Sequence, residues 1–526
     1  MAPDGTLTSW MEHAFARTAN ARLIEGNTVT LLVDGPENFP AWMEAIASAE
    51  RYVYFESYLI EEDATGRRMM EALRERARAG VPVRLVYDWF GDTGRSSRKF
   101  WRSLRESGVE VRCFNPFRPL RPLDVMHRDH RKSVCVDGRV AFVSGLCTAD
   151  MWVGNPAKGV PPWRDTGVKL TGPAVAEVEH AFGRVWSALG PPLPPGERVT
   201  ASAMPPTGNV RVRIVADEPG AAGLLRLDQL IASSAQQRLW LTDAYFAGTA
   251  SYVQALRGAA LDGVDVRLLV PGASNIPIVQ PFSRAGFRSL LEAGVRVWEW
   301  RGPMLHAKTA VADGSWARVG STNLNVASWV GNYELDVSVE DAGFAAEMEA
   351  MYLRDLQNAS ELVLADRQLK VVLGPPTAAQ APGFQTDGSA GRAVAGVLRV
   401  GRTLSSAMSG RRSIGASERT IVALGGVGVW VLAALAFLWP RALAWPLGVI
   451  GAWVGASLVW KGLTKPVSLL PPGPVRARDG QSALPDATGA ATGAKDLQRG
   501  SASSPGASAV AEGRDIPAGE TDRAGS

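Results

Sequence analysis

The chain has 526 residues, 46% apolar and 21% charged, which excludes wholesale disorder and predicts two to four structural units. Lys and Arg number 56 against 52 Asp and Glu, a net charge of +4 that is too mild to argue for nucleic acid. Three cysteines (Cys113, Cys135, Cys147) exclude a disulfide scaffold, and five histidines give no basis for a metal cluster.

Residues 1–27 carry Asp4, Glu12 and Glu25 and no apolar run, so they do not read as a signal peptide. Ser9-Trp10-Met11-Glu12 fits a capping box. This arm is expected to be a short amphipathic helix packed on the domain, in preference to lying on a membrane.

Residues 28–375 contain a long repeat. Ala79-Gly80-Val81-Pro82-Val83-Arg84-Leu85-Val86 matches Asp262-Gly263-Val264-Asp265-Val266-Arg267-Leu268-Leu269, and Glu106–Val111 matches Glu292–Val297. In the first copy, Ala41–Glu50 reads as helix, Tyr52–Ile60 as strand and Thr65–Ala79 as helix ending at Gly80. This alternation predicts an α/β fold of two similar halves, 28–200 and 201–375, forming one bilobed unit. A mostly parallel sheet with helices on both faces is expected.

Composition changes after that. Residues 376–419 read as a basic linker. Thr420–Trp439 and Ala442–Trp460 are uncharged runs separated by Pro440-Arg441, each long enough as helix to cross a bilayer core of roughly 30 Å. Trp439 and Trp460 fall at the ends of the runs, so 420–460 is expected to be a transmembrane α-helical hairpin rather than a buried one. Arg402, Arg411, Arg412 and Arg419 precede it and Lys461 and Lys465 follow, which places both ends in the cytoplasm. Residues 461–526 read as a disordered tail.

Each half carries the same polar pattern, HxKxxxxD: His130, Lys132 and Asp137 in the first, His306, Lys308 and Asp313 in the second. One such pattern by chance has an expectation on the order of a few thousandths, and two in matching repeat positions far less. On extended chain, positions i and i+2 share a face, so histidine and lysine project together. Asp137-Gly138 and Asp313-Gly314 are also hairpin signals, leading into strands at Arg139–Ser144 and Trp316–Gly320. A turn role for each aspartate therefore stands level with a catalytic one. Two imidazoles and two ammonium groups suit phosphate-ester chemistry without metal or cofactor. One histidine attacks phosphorus, the other moves the proton, and the lysines neutralise phosphoryl oxygens. Asp165, 35 residues after His130, and Glu334, 28 after His306, are expected to orient the imidazoles. Ser321 and Asn323 in Gly320-Ser321-Thr322-Asn323 are expected phosphate donors.

The paired motifs resemble the phospholipase D superfamily. Phe55-Glu56-Ser57-Tyr58, His130–Gly138, Arg139–Gly145, Trp163-Arg164-Asp165 and Val319–Leu324 further resemble the bacterial cardiolipin synthases. The resemblance covers about 28–375. It implies two α/β halves sharing one site, with His130 as nucleophile and His306 as acid/base. It also implies transfer of a phosphatidyl group from phosphatidylglycerol to a second phospholipid or alcohol acceptor at the inner membrane, with the catalytic halves facing the cytoplasm. A hydrolytic phospholipase D would use the same residues with water. A non-enzymatic membrane scaffold would be expected to have lost one motif, and both are complete. The chain departs from the family at Ser144-Gly145-Leu146-Cys147, where Cys147 stands in place of an expected asparagine. It departs again in carrying its apolar runs after the catalytic halves.

Overall fold

The computed structural model describes residues 5–118, 127–273, 279–365 and 368–372, with isolated positions between 430 and 456. The expected hairpin at 420–460 lies outside the described residues apart from those positions. The linker and tail also lie outside them. Among the described residues no helix is long and apolar enough to cross a membrane.

The first half contributes β1 (Ile24–Val33), β2 (Val53–Ser57), β3 (Val83–Asp88), β4 (Glu110–Phe114), β5 (Lys132–Val136), β6 (Val140–Ser144) and β7 (Thr166–Thr171). The second contributes β8 (Val210–Asp217), β9 (Arg238–Thr242), β10 (Asp265–Pro271), β11 (Arg296–Trp300), β12 (Thr309–Ala312), β13 (Trp316–Gly320), β14 (Glu334–Glu340), β15 (Ala359–Ala365) and β16 (Gln368–Val372). The helices are α1 (Gly5–Ala19), α2 (Asp34–Ala47), α3 (Ala64–Arg78), α4 (Trp89–Asp92), α5 (Arg98–Glu106), α6 (Val175–Ala188), α7 (Gly223–Ser234), α8 (Ala250–Leu261), α9 (Val279–Leu291) and α10 (Ala342–Gln357).

The strand order is β16-β15-β11-β10-β9-β12-β13-β14-β8-β1-β7-β6-β5-β2-β3-β4. The two halves run outward from the antiparallel β1–β8 pair in mirrored order. The expectation of a mostly parallel sheet is corrected. Among the described strands only β2-β3-β4 and β9-β10-β11 pair in parallel, and the other pairings are antiparallel. The Asp-Gly dipeptides explain this. Asp137 and Gly138, like Asp313 and Gly314, both have positive φ, as the central residues of a type I′ turn require, and each turn sits in a three-residue loop between paired strands. Each motif strand is thereby folded back on itself.

Other boundaries shift for local reasons. Helix α2 begins seven residues before the expected Ala41, with Pro36 and Pro40 in its first two turns. A proline in the first turn lacks only an N–H that would be unsatisfied there. Strand β2 ends at Ser57, short of the expected Ile60. Helix α3 keeps its expected span to within a residue, with Asp63 accepting from the Gly66 N–H at 2.8 Å as its N-cap. Helix α1 opens at Gly5, so Ser9 lies within the helix and not at the expected N-cap. Its Ala19 and Phe15 pack with the core under α7 and α8 of the second half, and Glu12 pairs with the buried Arg213.

One core is shared between the halves. Val143 and Val168 of β6 and β7 cluster with Val319 and Val337 of β13 and β14, all fully buried. Each such side chain contributes roughly 1.5–3 kcal/mol. The interface is thus fixed by apolar packing, and the polar site is built on its rim.

Candidate active site

The approach to each motif is stitched to the opposite half. The His130 N–H donates to the Tyr333 carbonyl at 2.9 Å, and Asp129 bridges Tyr333. Reciprocally, the His306 N–H donates to the Arg164 carbonyl at 2.7 Å, and Leu305 bridges Arg164. Tyr333 and Arg164 immediately precede Glu334 and Asp165. Each histidine is therefore delivered to the carboxylate of the other half.

His130 Nδ1 lies 2.9 and 3.0 Å from the two Glu334 oxygens. His306 Nδ1 lies 2.7 Å from Asp165 Oδ2. Each carboxylate that the sequence offers as an orienting group thus faces the histidine of the opposite half. With Nδ1–H donating to a carboxylate, the lone pair of each neutral ring is on Nε2. Lys132 Nζ and Lys308 Nζ each donate back to the carbonyl of their own histidine. The field of Lys132 acts on both His306 and Lys308, so the two motifs meet in one site.

The dyads differ in setting. His306 sits among Trp152, Trp163 and Tyr245, with ring centroids 5.4, 5.9 and 6.0 Å away. Burial and the neighbouring Lys308 ammonium, 3.0 Å from Nδ1, push His306 down to about 3, so it is neutral at pH 7. Burial alone would raise Asp165, but His306, Lys308 and the Trp152 N–H hold it down at about 2. Burial pushes Glu334 up to about 7 against the pull of Lys132 and its hydrogen-bond donors. Burial, with help from Lys132, lowers Lys308 to about 8. Tyr58 meets His130 edge-on at 5.0 Å and lies under Lys132.

The remaining expected site residues separate into two groups. Asp137 and Asp313 are not brought to the histidines. Asp137 accepts from the N–H groups of Glu50, Arg51 and Tyr52, and Asp313 from those of Gln236, Gln237 and Arg238. Five residues of extended chain put Asp137 about 16 Å beyond Lys132. Ser321 is at the site, but its hydroxyl donates to Glu334 at 2.6 Å and accepts from the Leu335 N–H. It supports the carboxylate. Asn323 keeps a buried Oδ1 without a hydrogen-bond partner among the described residues, and its amide nitrogen faces Ser328 at 3.4 Å. Cys147 is buried within the field of both lysines, and burial raises its thiol pKa. Among the described residues no group of three or more His, Cys, Asp or Glu is disposed to hold a metal ion.

Sequence reasoning missed several supporting residues. Trp152 Nε1 donates to Asp165 at 2.9 Å. Arg131, fully buried, donates to the carbonyls of Glu334, Ala181 and Asp217 and so braces both halves. Arg164 joins Asp355 and Asp34 beside the second dyad. Gly145 leaves room for this arrangement: a Cβ there would fall 2.2 Å from Asp165 Oδ1. The x of HxK signalled Arg131; nothing in local periodicity signalled Trp152.

This geometry belongs to the two-motif phospholipase D class, and comparison with known proteins narrows it. A family profile described as "Cardiolipin synthase, PLD-like domain" matches residues 42–148 and 227–356. Cardiolipin synthase A of Pseudomonas aeruginosa is 34% identical over 363 residues, 68% of this chain and 72% of that one. A probable cardiolipin synthase of Bacillus subtilis is 31% identical over 352 residues, 66% of this chain and 69% of that one. The crystal structure of phosphatidylserine synthase from Haemophilus influenzae shares the fold at a TM-score of 0.54 and 13% identity, covering 67% of this chain and 91% of that one. The chain belongs to the cardiolipin synthase family, phospholipid phosphatidyltransferases of the phospholipase D superfamily.

Proposed function

We propose that the protein moves a phosphatidyl group from phosphatidylglycerol to a second lipid alcohol through a phosphohistidine intermediate. The observation that carries this reading is the pair of carboxylate-oriented imidazoles, each completed by the other half, with a lysine ammonium at the carbonyl of each histidine. In the first step His130 Nε2 attacks phosphorus, the P–O bond to glycerol breaks, and the second imidazole, which takes up a proton at Nε2 once the anionic phosphate lies against it, gives that proton to the departing alkoxide. In the second step that imidazole takes the proton of the incoming alcohol, whose oxygen attacks phosphorus as the P–N bond breaks. Lys132 and Lys308 neutralise the non-bridging oxygens as charge shifts. Asp165 and Glu334 fix the tautomers.

A second reading exchanges the histidines. A nucleophile must be neutral, and burial beside Lys308 holds His306 neutral. The His130–Glu334 dyad, whose carboxyl sits at about 7, then holds the proton to be donated.

The substrate is a lipid, and residues 420–460 supply two apolar runs. We place them as a hairpin in the inner membrane, with the catalytic halves on the cytoplasmic side, as the outer Arg and Lys residues favour. Incubating purified protein with labelled phosphatidylglycerol, alone and with candidate acceptors, tests the function. Cardiolipin plus glycerol on thin-layer chromatography is the expected result. Phosphatidic acid as the main product would make the protein a hydrolase. No turnover under any condition would leave the scaffold reading.

A further inference from the structure

We propose that the first half seats the mouth of the site on an anionic bilayer through the exposed cationic face of α5 and an aromatic patch around Phe117. The proposal rests on the lipid-substrate reading above. Three observations carry it.

The first is charge without close ion pairs. Helix α5 buries Phe100, Trp101 and Leu104 and turns Arg98, Lys99, Arg102 and Arg105 outward, all four exposed. Among the described residues none of the four forms an ion pair. Other surface arginines do so freely, Arg74 and Arg78 with Glu71 and Arg95 with Glu61 among them. Arg98 and Lys99 occupy the first turn, where the helix dipole disfavours cations, and Glu106 stands at the C-terminal end, where it disfavours acids. Arg105, in the last turn, complements the dipole, but the two first-turn cations do little for the helix and suit an external anion.

The second is position. Ser57 at the end of β2 pairs with Lys132 and with Tyr87, so the C-terminal ends of β2 and β3 lie at the site. Helices α4 and α5 start from that end. Asp88, the last residue of β3, accepts from Arg128 and from the Asp129 N–H, tying this corner to the segment that carries His130.

The third is apolar exposure at the same corner. Phe117 is 46% exposed, stacks on Trp89 at 5.8 Å and is followed by the exposed Arg118. Its ring also lies 6.4 Å from that of Trp453, which belongs to the uncharged runs read as membrane-spanning. An aromatic flanked by cations suits the headgroup level of a bilayer, where each Lys or Arg near an anionic surface adds roughly a 5-fold preference, about 1 kcal/mol. Patch and cleft mouth on one side would let a phosphatidylglycerol headgroup enter without the lipid leaving the membrane.

The test uses the full chain in nanodiscs, with two variants. In the first, Arg98, Lys99 and Arg102 are all replaced by Gln. Apparent KM for bilayer phosphatidylglycerol should rise at least tenfold, while turnover of a monomeric short-chain phosphatidylglycerol in detergent stays within twofold. In the second, Phe117→p-benzoylphenylalanine is photolysed in discs of phosphatidylcholine with and without phosphatidylglycerol. A lipid adduct enriched in the anionic discs is expected. The adduct does not depend on turnover, so it stands or falls apart from the proposed function. An adduct only to residues 420–460, or only to a second copy of the chain, would assign the patch to those occupants and overturn the proposal. So would an unchanged KM in the triple variant.

Discussion

Asp165→Asn isolates what the opposite half gives to His306. The substitution keeps size and removes the charge that faces Nδ1 at 2.7 Å in a fully buried position. A hydrogen bond to a charged partner contributes about 1.5–3 kcal/mol. Unit charges about 4 Å apart at an effective dielectric of 20 interact by about 4 kcal/mol. Taking about 3–4 kcal/mol for the loss, kcat should fall roughly 10²–10³-fold. KM should change less than about threefold, because the imidazole tautomer matters only once charge moves. The Trp152 and Thr166 donors on Asp165 would also meet an amide, so thermal melting is needed to show that the variant is folded. Steady-state transfer of labelled phosphatidylglycerol in mixed micelles gives kcat and KM. Nitrogen-15 NMR of the imidazoles gives the connection itself: His306 Nδ1 should shift and His130 Nδ1 should not. A kcat within fivefold of the parent, or a shift at His130 in place of His306, would refute the crossed dyads.

Activity should follow a narrow bell in pH. Glu334, raised to about 7 by burial, must be ionised to accept from His130, so kcat/KM falls as pH drops below 7. Lys308, lowered to about 8, loses its charge as pH rises past 8, which sets the other limb. Glu334→Gln should lower the rate and abolish the acid limb; an acid limb that persists would assign it to another group. Asp137→Ala leaves three backbone N–H groups without their acceptor and should cost about 2–3 kcal/mol of stability, read as a Tm drop of several degrees, with kcat of the folded enzyme unchanged. Loss of kcat at constant Tm would instead put that carboxylate in the chemistry. Cys147→Asn should keep or raise activity by restoring an amide near the lysines, and Asn323→Ala should lower it. The opposite pattern would reverse which half grips the phosphate.

What could be read from sequence was local, and what could not was created by the second half. Histidine and lysine two apart on extended chain must share a face, so spacing alone places each HxK pair. The duplicated strand text gave two halves. Antiparallel pairing was written in Asp137-Gly138 and Asp313-Gly314, yet the alternation of helices and strands outweighed it, because a βαβ pattern does not show where a strand folds back. The crossing of Asp165 and Glu334 to the histidines of the opposite half had no local signal. It follows from the mirrored strand order around β1 and β8, which brings Tyr333 beside Asp129 and Arg164 beside Leu305. Ser321 was legible as a site residue, but its bond to Glu334 was not. A hydroxyl between a phosphate and a buried carboxylate serves whichever the fold brings within reach, and here Glu334 is 2.6 Å away. Trp152 lies in a short 3₁₀ turn with no period to betray it.

A covalent relay through histidine is the central claim, and rapid acid-free quenching with ³²P-labelled phosphatidylglycerol tests it most directly. A transient lipid-phosphate label should form on the protein within the first turnover, acid-labile and base-stable, and map to the peptide that contains His130. The label should be absent in His130→Ala and slow to form in His306→Ala. Label on the His306 peptide would exchange the two roles and keep the relay. Transfer at the normal rate with no protein-bound label at any quench time, or retention of more than about a tenth of the rate in either histidine variant, would contradict it.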